Sequence, residues 1–384
     1  MEKVRLGIAG LGNMGATHAA SILAGNIRRL ELTAVCDLDP AKLARYPQLA
    51  SFASADALIS SGRIDAILIA TPHYDHTTIG IRALEAGLHV LVEKPISVHK
   101  ADCERLIAAH RDPRLVFAAM FNQRTDPYYR KLRQLIASGE IGAVRRVNWI
   151  ITNWFRSEAY YASSAWRATW AGEGGGVLLN QCPHNLDLLQ WMFGLPARVR
   201  AFCRFGRYHE IEVEDDVTAY LELAGGATGV FVTTTGEAPG TNRLEIAAEN
   251  GRIVYEDDRI QYLRNATPAS EFSRTTTEAF ARPDTVAELI TAPDHGGQHN
   301  EILQNFTDAI LEGAPLIAPA AEGARSVELA NAMLLSTWLD QTVELPLDAA
   351  LYERLLQQRA ARSTRQKRVG APAPVTDFAK SFGR

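Results

Sequence analysis

The sequence is poor in the features of a secreted, membrane-spanning or nucleic-acid-coating protein. Its four cysteines, Cys36, Cys103, Cys182 and Cys203, are scattered through 384 residues and form neither a paired disulfide framework nor a close-spaced zinc pattern. The longest apolar runs, such as Ala66 to Ala70 and Val90 to Val92, are strand-sized, far short of the roughly 20 residues that a spanning helix needs. The chain opens Met1-Glu2-Lys3-Val4-Arg5 and enters a strand pattern at once, so no export signal is expected. A formal net charge of only -4 offers nothing to a polyanionic partner. Neither an internal repeat nor a low-complexity block is present. The expected setting is a reducing cytoplasm, with no membrane and no nucleic acid as partner.

What is present is an ordinary globular balance, 47% hydrophobic and 22% charged, in a chain too long for one ordinary domain. From Val4 to Met120 short continuous apolar runs alternate with helix-period segments, as buried parallel strands do. The strand candidates are Val4 to Ala9, Leu30 to Cys36, Ala66 to Ala70, His89 to Val92 and Leu115 to Met120. One helical stretch, His76 to Ala86, closes at Gly87, where a left-handed cap fits. A doubly wound α/β domain over 1–124 follows. A connecting helix comes next, with Asp126 as N-cap, Pro127 at its first position and Gly139 past its end.

The pattern then changes. Longer period-two strands are expected at Ala143 to Ile151, Ala197 to Phe205, Asp216 to Leu223, Ala227 to Thr234, Arg243 to Ala248 and Gly251 to Tyr255, implying an antiparallel or mixed sheet. A helical insert runs around Gly176 to Phe193, and helices return at Gln298 to Leu311 and Glu322 to Leu339. This second domain covers 125–345. Residues 346–384 read as a C-terminal helix and a basic extended tail from residue 360, with Arg362, Arg365, Lys367 and Arg368.

The first strand ends in Gly10-Leu11-Gly12-Asn13-Met14-Gly15 and passes straight into a helical pattern, the context a dinucleotide fingerprint requires. Gly10 makes the tight turn, Gly12 clears the approach of a pyrophosphate to the helix N-terminus, and Gly15 lets helix and strand pack closely. Asp37 ends the second strand 22 residues after Gly15, where a carboxylate accepts from ribose hydroxyls. NAD is favoured over NADP, since Leu38-Asp39-Pro40 brings no cation for a 2'-phosphate. The plainer alternative makes Asp37 a turn residue.

Glu93-Lys94-Pro95 follows a strand at the carboxyl edge of the sheet, where ligands bind in open α/β domains. A lysine there can hold a substrate hydroxyl and stabilise alkoxide character; on its own, a lysine at a strand end is more often a solvated surface residue. Farther on, the run Gly174 to Asp187 sets Asn180, His184 and Asp187 at i, i+4 and i+7, one face of a helix, offering an imidazole as proton acceptor, an amide as guide and a carboxylate as orienter. The alternative is a polar surface stripe. Pro183 is awkward in a helix interior and predicts a kink or a late helix start. Thr71 and Pro72 border the same edge. Asn122 and Arg124 follow the last strand of the first domain, and Tyr160, Tyr161, Trp166 and Arg167 suit stacking on a pyranose ring. His73, His76, His209, His295 and His299, with Asp215 and Asp216, form no recognised ligand set, so no metal is expected.

Together the motifs Gly10 to Gly15, Ala70-Thr71-Pro72 with His76, Ala83 to Pro95 and Gly174 to Asp187 resemble the Gfo/Idh/MocA family of oxidoreductases over nearly the whole chain. The resemblance implies a Rossmann domain followed by an α+β domain with a large, mostly antiparallel open sheet. It implies hydride transfer with NAD, a cofactor site that takes in Gly10 to Gly15, Asp37, Thr71, Pro72, His76, Glu93 and Lys94, and homodimers or homotetramers built on the open sheet. Lys94 matches the family's catalytic lysine and His184 its catalytic histidine. Asn180 departs from the pattern, where Asp is common. Asp187 matches the acidic position three residues after the histidine. The implied substrate is a sugar, glycoside or cyclitol secondary alcohol. An NAD-dependent glycoside hydrolase working through a transient 3-keto sugar, and a sugar-binding regulator without catalysis, are the competing functions.

Overall fold

The computed structural model describes residues 2–363; the expected basic tail from residue 364 on lies outside the described residues. The first sheet is built from β1 (Val4–Ala9), β2 (Leu30–Cys36), β3 (Ala50–Phe52), β4 (Ala66–Ile69), β5 (His89–Val92) and β6 (Phe117–Ala119), all parallel in the order β3-β2-β1-β4-β5-β6. This is the strand order of a dinucleotide-binding sheet, with its switch point between β1 and β4. Val4, Leu6, Ile8, Ile67, Leu68, Val90 and Leu91 are wholly buried, which is why these strands read as unbroken apolar runs. The helix between β4 and β5 runs His73–Glu85, three residues earlier than the periodicity suggests, and Gly87 follows it at φ +80°.

The second sheet has nine strands: β7 (Val144–Ile151), β8 (Pro196–Phe205), β9 (Glu214–Leu223), β10 (Thr228–Thr234), β11 (Asn242–Ala248), β12 (Gly251–Glu256), β13 (Arg259–Asn265), β14 (Thr285–Ile290) and β15 (Val343–Glu344). Their order is β14-β13-β12-β11-β7-β10-β9-β8-β15, antiparallel except for β7 with β10. Four strands escape the pattern reading. β3 and β15 have only three and two residues; β13 is broken by polar residues, and β14 is exposed along almost all its length, so it lacks an apolar stripe. One face of this sheet packs on the core through Val147, Trp149, Phe231 and Leu244, while Ile150, Phe202, Tyr220 and Val230 stand exposed on the other.

The helix Ala320–Leu339 ties the two sheets together. Ala119 donates its N–H to Ala318 O at 3.0 Å, Ala320 and Val327 enter the first core, and Leu329 to Leu335 enter the second. The last described helix, Ala349–Ala361, includes residues 360 and 361, so the chain stays helical slightly past the expected tail boundary. Among the described residues no helix is long and apolar enough to cross a membrane.

Candidate active site

The glycine loop is set by close approach. Gly10 has φ +92°, and a Cβ there would lie 2.6 Å from Ala70 O; at Gly15 a Cβ would fall 1.8 Å from Gly10 O. Around Gly12 there is open space, and the helix Asn13–Leu23 begins beside it, with Asn13 exposed and Met14 half-buried, so its first N–H groups face a clear approach. Thr71 leaves its buried hydroxyl without a partner at the neighbouring strand end, where Pro72 caps the next helix.

Asp37 is more engaged than its sequence neighbours suggest. Its carboxylate accepts from Leu11 N–H at 2.7 Å and Asp39 N–H at 2.9 Å, and Lys42 Nζ lies 3.2 and 3.1 Å from its two oxygens. Burial works against the charge, but those two N–H donors and the ammonium outweigh it and hold the carboxyl below its ordinary value. The expectation that no cation stands near Asp37 is therefore corrected: the turn into the Pro40–Leu43 helix brings Lys42 back onto it.

Beyond β5, Glu93 faces inward rather than toward a ligand. His18 Nε2 lies 2.7 Å from one oxygen, and Lys94 N–H donates to the other at 3.2 Å. Burial would raise this carboxyl, but His18, His299 and Lys94 bring it down to about 2. His76 is likewise enclosed: its ring nitrogens lie 2.8 Å from Pro95 O and 2.9 Å from Thr71 O, and burial favours the neutral ring, whose single N–H donates to one of these two carbonyls.

Lys94 is half-buried, and its ammonium donates to the backbone carbonyl of Asn180 at 2.9 Å. Burial lowers its pKa, Arg156 and Arg167 push the same way, and Glu93 and Glu173 only partly offset them. Asn180 is not on a helix with His184. The helix starts at Pro183, which sits at its first position, where a missing N–H costs nothing. The preceding turn is held by Glu214, which accepts from Gly176 N–H at 2.8 Å and Leu178 N–H at 3.1 Å. Burial pushes Glu214 up to about 7.

His184 is buried against the edge of Phe121, with centroids 6.1 Å apart, and its Nδ1 has no protein partner. Burial, helped by Lys94 and His299, holds its pKa well below the ordinary histidine value, so the ring is neutral and can accept a proton. His299 is itself pushed down to about 4 by burial and by His18, whose ring centre is 5.6 Å away.

Three expected site residues are elsewhere engaged. Asp187 is wholly buried and gripped by Arg124, whose Nε and Nη2 donate at 2.7 and 2.6 Å, while Gln190 donates at 3.0 Å. Arg124 spends its remaining reach on Ile317 O and Glu322 and is 1% exposed, so neither partner of this ion pair meets a substrate. Tyr161 turns into the core, its hydroxyl 2.8 Å from Thr235 Oγ1. Asn122 donates to Gln298 at 2.7 Å and keeps a buried Oδ1 with no partner, an acceptor open to a ligand.

In place of Tyr161, Tyr160 is the hub. Its hydroxyl donates to Asn180 Oδ1 at 3.1 Å and accepts from Arg167 at 2.5 Å and Gln181 at 3.0 Å. The Arg167 guanidinium lies 4.3 Å from the Tyr160 ring centre and 4.9 Å from that of Trp166, which meets His73 edge-on. Glu173 is a residue that sequence reasoning passes over. It is 1% exposed, accepts from Ala168 N–H at 2.5 Å and from the Asn180 amide, and lies 3.8 Å from Arg167. The site thus keeps a carboxylate beside position 180, supplied from seven residues upstream. Its only sequence signal is an acidic residue directly before three glycines. Among the described residues, no three His, Cys, Asp or Glu side chains come together as metal ligands.

Residues 4–121 match the oxidoreductase family with an NAD-binding Rossmann fold, and residues 129–254 match the GFO/IDH/MocA C-terminal domain. The chain belongs to the Gfo/Idh/MocA oxidoreductase family. It resembles inositol 2-dehydrogenase of Rhizobium meliloti, 27% identical over 87% of this chain and 96% of that one. An uncharacterized oxidoreductase of Escherichia coli, YdgJ, is 30% identical over 51% of this chain, but the match spans only 55% of its length. Among solved structures, the WlbA dehydrogenase of Chromobacterium violaceum, in complex with NADH and UDP-GlcNAcA, has a TM-score of 0.78 and 27% identity, covering 91% of this chain and 97% of that one. The Gfo/Idh/MocA chain described here is accordingly an NAD-binding oxidoreductase, with a parallel Rossmann sheet and a mixed, mostly antiparallel second sheet.

Proposed function

We propose that this protein is an NAD-dependent dehydrogenase that oxidises a secondary alcohol on a sugar, glycoside or cyclitol ring to a ketone. The observation that carries the reading is the pairing of Lys94, poised on the Asn180 carbonyl, with a buried neutral His184 whose Nδ1 lacks a partner, at the carboxyl edge of the first sheet. The dinucleotide fits what the residues leave open. Gly10, Gly12 and Gly15 clear the pyrophosphate approach at the N-terminus of the helix with Asn13 and Met14, Asp37 faces the ribose, and Thr71 Oγ1 and Asn122 Oδ1 are acceptors without protein partners. When bound, the nicotinamide supplies the hydride acceptor.

The protein's own residues then have separate tasks. Lys94, with a depressed pKa and a fixed ammonium, donates a hydrogen bond to the reacting hydroxyl and steadies negative charge on its oxygen. His184, neutral, accepts the hydroxyl proton. Asn180 positions Lys94 through its backbone carbonyl and Tyr160 through its amide oxygen. Trp166 and Tyr160 give the sugar ring an apolar face, and Gln181 and Arg167 surround its hydroxyls.

The same reading divides the chain into a cofactor domain over 1–124, a substrate and oligomerisation domain over 125–345 and a C-terminal part from 346. The exposed face with Ile150, Phe202, Tyr220 and Val230 supports a homodimer or homotetramer, because a partner subunit would cover it.

A screen for NADH absorbance across cyclitols, aldoses and glycosides tests the function. NADH should accumulate in proportion to ketone formed. Release of aglycone with no net NADH would establish the hydrolase instead, and binding of NAD and sugar with neither product would leave a regulator.

A further inference from the structure

The Lys94 ammonium rests on a main-chain oxygen, so its place is set by whatever sets the Asn180 peptide. The Asn180 side chain is not enough for this. Tyr160 and Glu173 hold its amide, but the carbonyl can still turn about the Cα–C bond. The turn over 176–182 removes that freedom. Asn180 N–H donates to Gly176 O at 2.9 Å and Cys182 N–H to Val177 O at 2.8 Å, which fixes the chain on both sides of the carbonyl.

Gly176 and Val177 are in turn held from behind by one residue at the start of β9. Glu214 is wholly buried and receives three consecutive N–H groups, those of Gly176 at 2.8 Å and Leu178 at 3.1 Å on Oε1 and that of Val177 at 2.9 Å on its main-chain oxygen. The fit is close, for a Cβ on Gly176 would fall 2.0 Å from Glu214 O. Without Oε1 two buried N–H groups would lose their acceptor, and a turn that shifts to recover partners carries the Asn180 carbonyl with it. Burial pushes the Glu214 carboxyl up to about 7. In the neutral form the proton goes to Oε2, which has no partner, and Oε1 keeps accepting, so the turn requires the shape of this side chain and not its charge.

We propose that Glu214 is a positioning residue for the reaction: through the 176–182 turn it sets the Asn180 carbonyl and so aims the Lys94 ammonium at the reacting hydroxyl. Enclosed behind the turn, it acts through Lys94 and needs no contact with substrate or cofactor. What Lys94 does rests on the dehydrogenase reading, whereas the hold on Lys94 stands or falls on its own.

The test uses the full chain with NAD and the fastest of myo-inositol, glucose and methyl α-glucoside. Glu214→Leu should lower kcat by roughly 10- to 100-fold, the scale of a misplaced reacting group, with KM within a few-fold of the parent and the NAD-induced melting shift kept. Glu214→Gln keeps an acceptor of the same reach and should recover most of that loss. Added to Lys94→Ala, Glu214→Leu should cost little more, because the two residues act as one unit. A double variant that loses the product of the two single effects would mean a general structural role and would overturn the proposal. A second readout needs no turnover. Lysine is scarce in this chain, so the Cε methylene signals of protein carrying isotope-labelled lysine are few, and that of Lys94 is the one missing from Lys94→Ala. Its two protons should be inequivalent in the parent and in Glu214→Gln and should average in Glu214→Leu. An unchanged Lys94 signal in folded Glu214→Leu would overturn the proposal. Where Glu214→Leu does not fold, Glu214→Asp, one methylene too short to reach both N–H groups, gives the same readings. Unchanged turnover in Lys94→Ala would sink the dehydrogenase reading instead, and there, as with three compounds that are not oxidised, the lysine signal still decides whether Glu214 holds Lys94.

Discussion

Replacing Asp187 by Asn separates structural from chemical use of this carboxylate, which sequence pattern alone makes an orienter of the base. Asp187 and Arg124 form a bidentate pair with both side chains 1% exposed. Breaking such a buried pair by removing one partner costs about 3–5 kcal/mol, because the remaining charge is left desolvated. Arg124 keeps Glu322, which is 36% exposed, and the Ile317 carbonyl, so the lower end, about 3 kcal/mol, is expected. At roughly 2–4 °C per kcal/mol for a domain of this size, the melting temperature of Asp187→Asn should fall by about 6–12 °C. Below that temperature kcat/KM should stay within a few-fold of the parent, and the acidic limb of its pH profile should not move. Differential scanning calorimetry and a pH series on the same preparation read both effects. A variant that melts normally but shifts the limb would refute this reasoning and return Asp187 to the proton path.

Lys42→Ala removes the cation that faces Asp37, so the melting shift produced by NADP should shrink while that of NAD is kept; a larger NADP shift in the variant would contradict the placement of Lys42. Asn180→Asp brings a carboxylate against Glu173, which raises the pKa of one of them above its unfolded value. Its stability deficit should therefore be greatest at high pH and should close as pH falls through that raised pKa, as thermal melts at pH 8 and pH 5 would show; a deficit independent of pH would mean that the two groups do not meet. Covering of the outer face of the second sheet predicts light scattering at a dimer or larger, and a species near the 42.1 kDa chain mass at micromolar concentration with and without NAD would exclude it.

The parts of this site that were legible in the sequence are those fixed by local physics. Gly15 is dictated by its contact with the Gly10 carbonyl five residues away, Gly10 needs a left-handed φ whatever its distant neighbour Ala70, and Pro183 announces its own helix start. Apart from the three-residue β3, the strands of the first sheet are buried along nearly their whole length and therefore visible as apolar runs. What escaped depends on partners distant in the chain or on a bend. Arg124 and Asp187 are 63 residues apart, and nothing local shows that they neutralise each other rather than a substrate. Adjacent Tyr160 and Tyr161 differ only in which side of a short helix they occupy, one toward Asn180 and the other toward Thr235. Lys42 comes five residues after Asp37 and meets it only because the chain turns through Asp39 and Pro40. At Asn180 the sequence shows an amide, and only the fold brings the Glu173 carboxylate against it.

The most direct test of the central claim is the turnover of Lys94→Ala on a substrate from the NADH screen, with NAD binding followed in the same protein. The account predicts a loss in kcat of roughly 10² or more with the NAD-induced melting shift nearly intact, because the proposed reading gives Lys94 the reacting hydroxyl and gives the pyrophosphate to the Gly10 to Gly15 loop. Near-normal turnover in Lys94→Ala, with the protein folded and NAD bound, would contradict it.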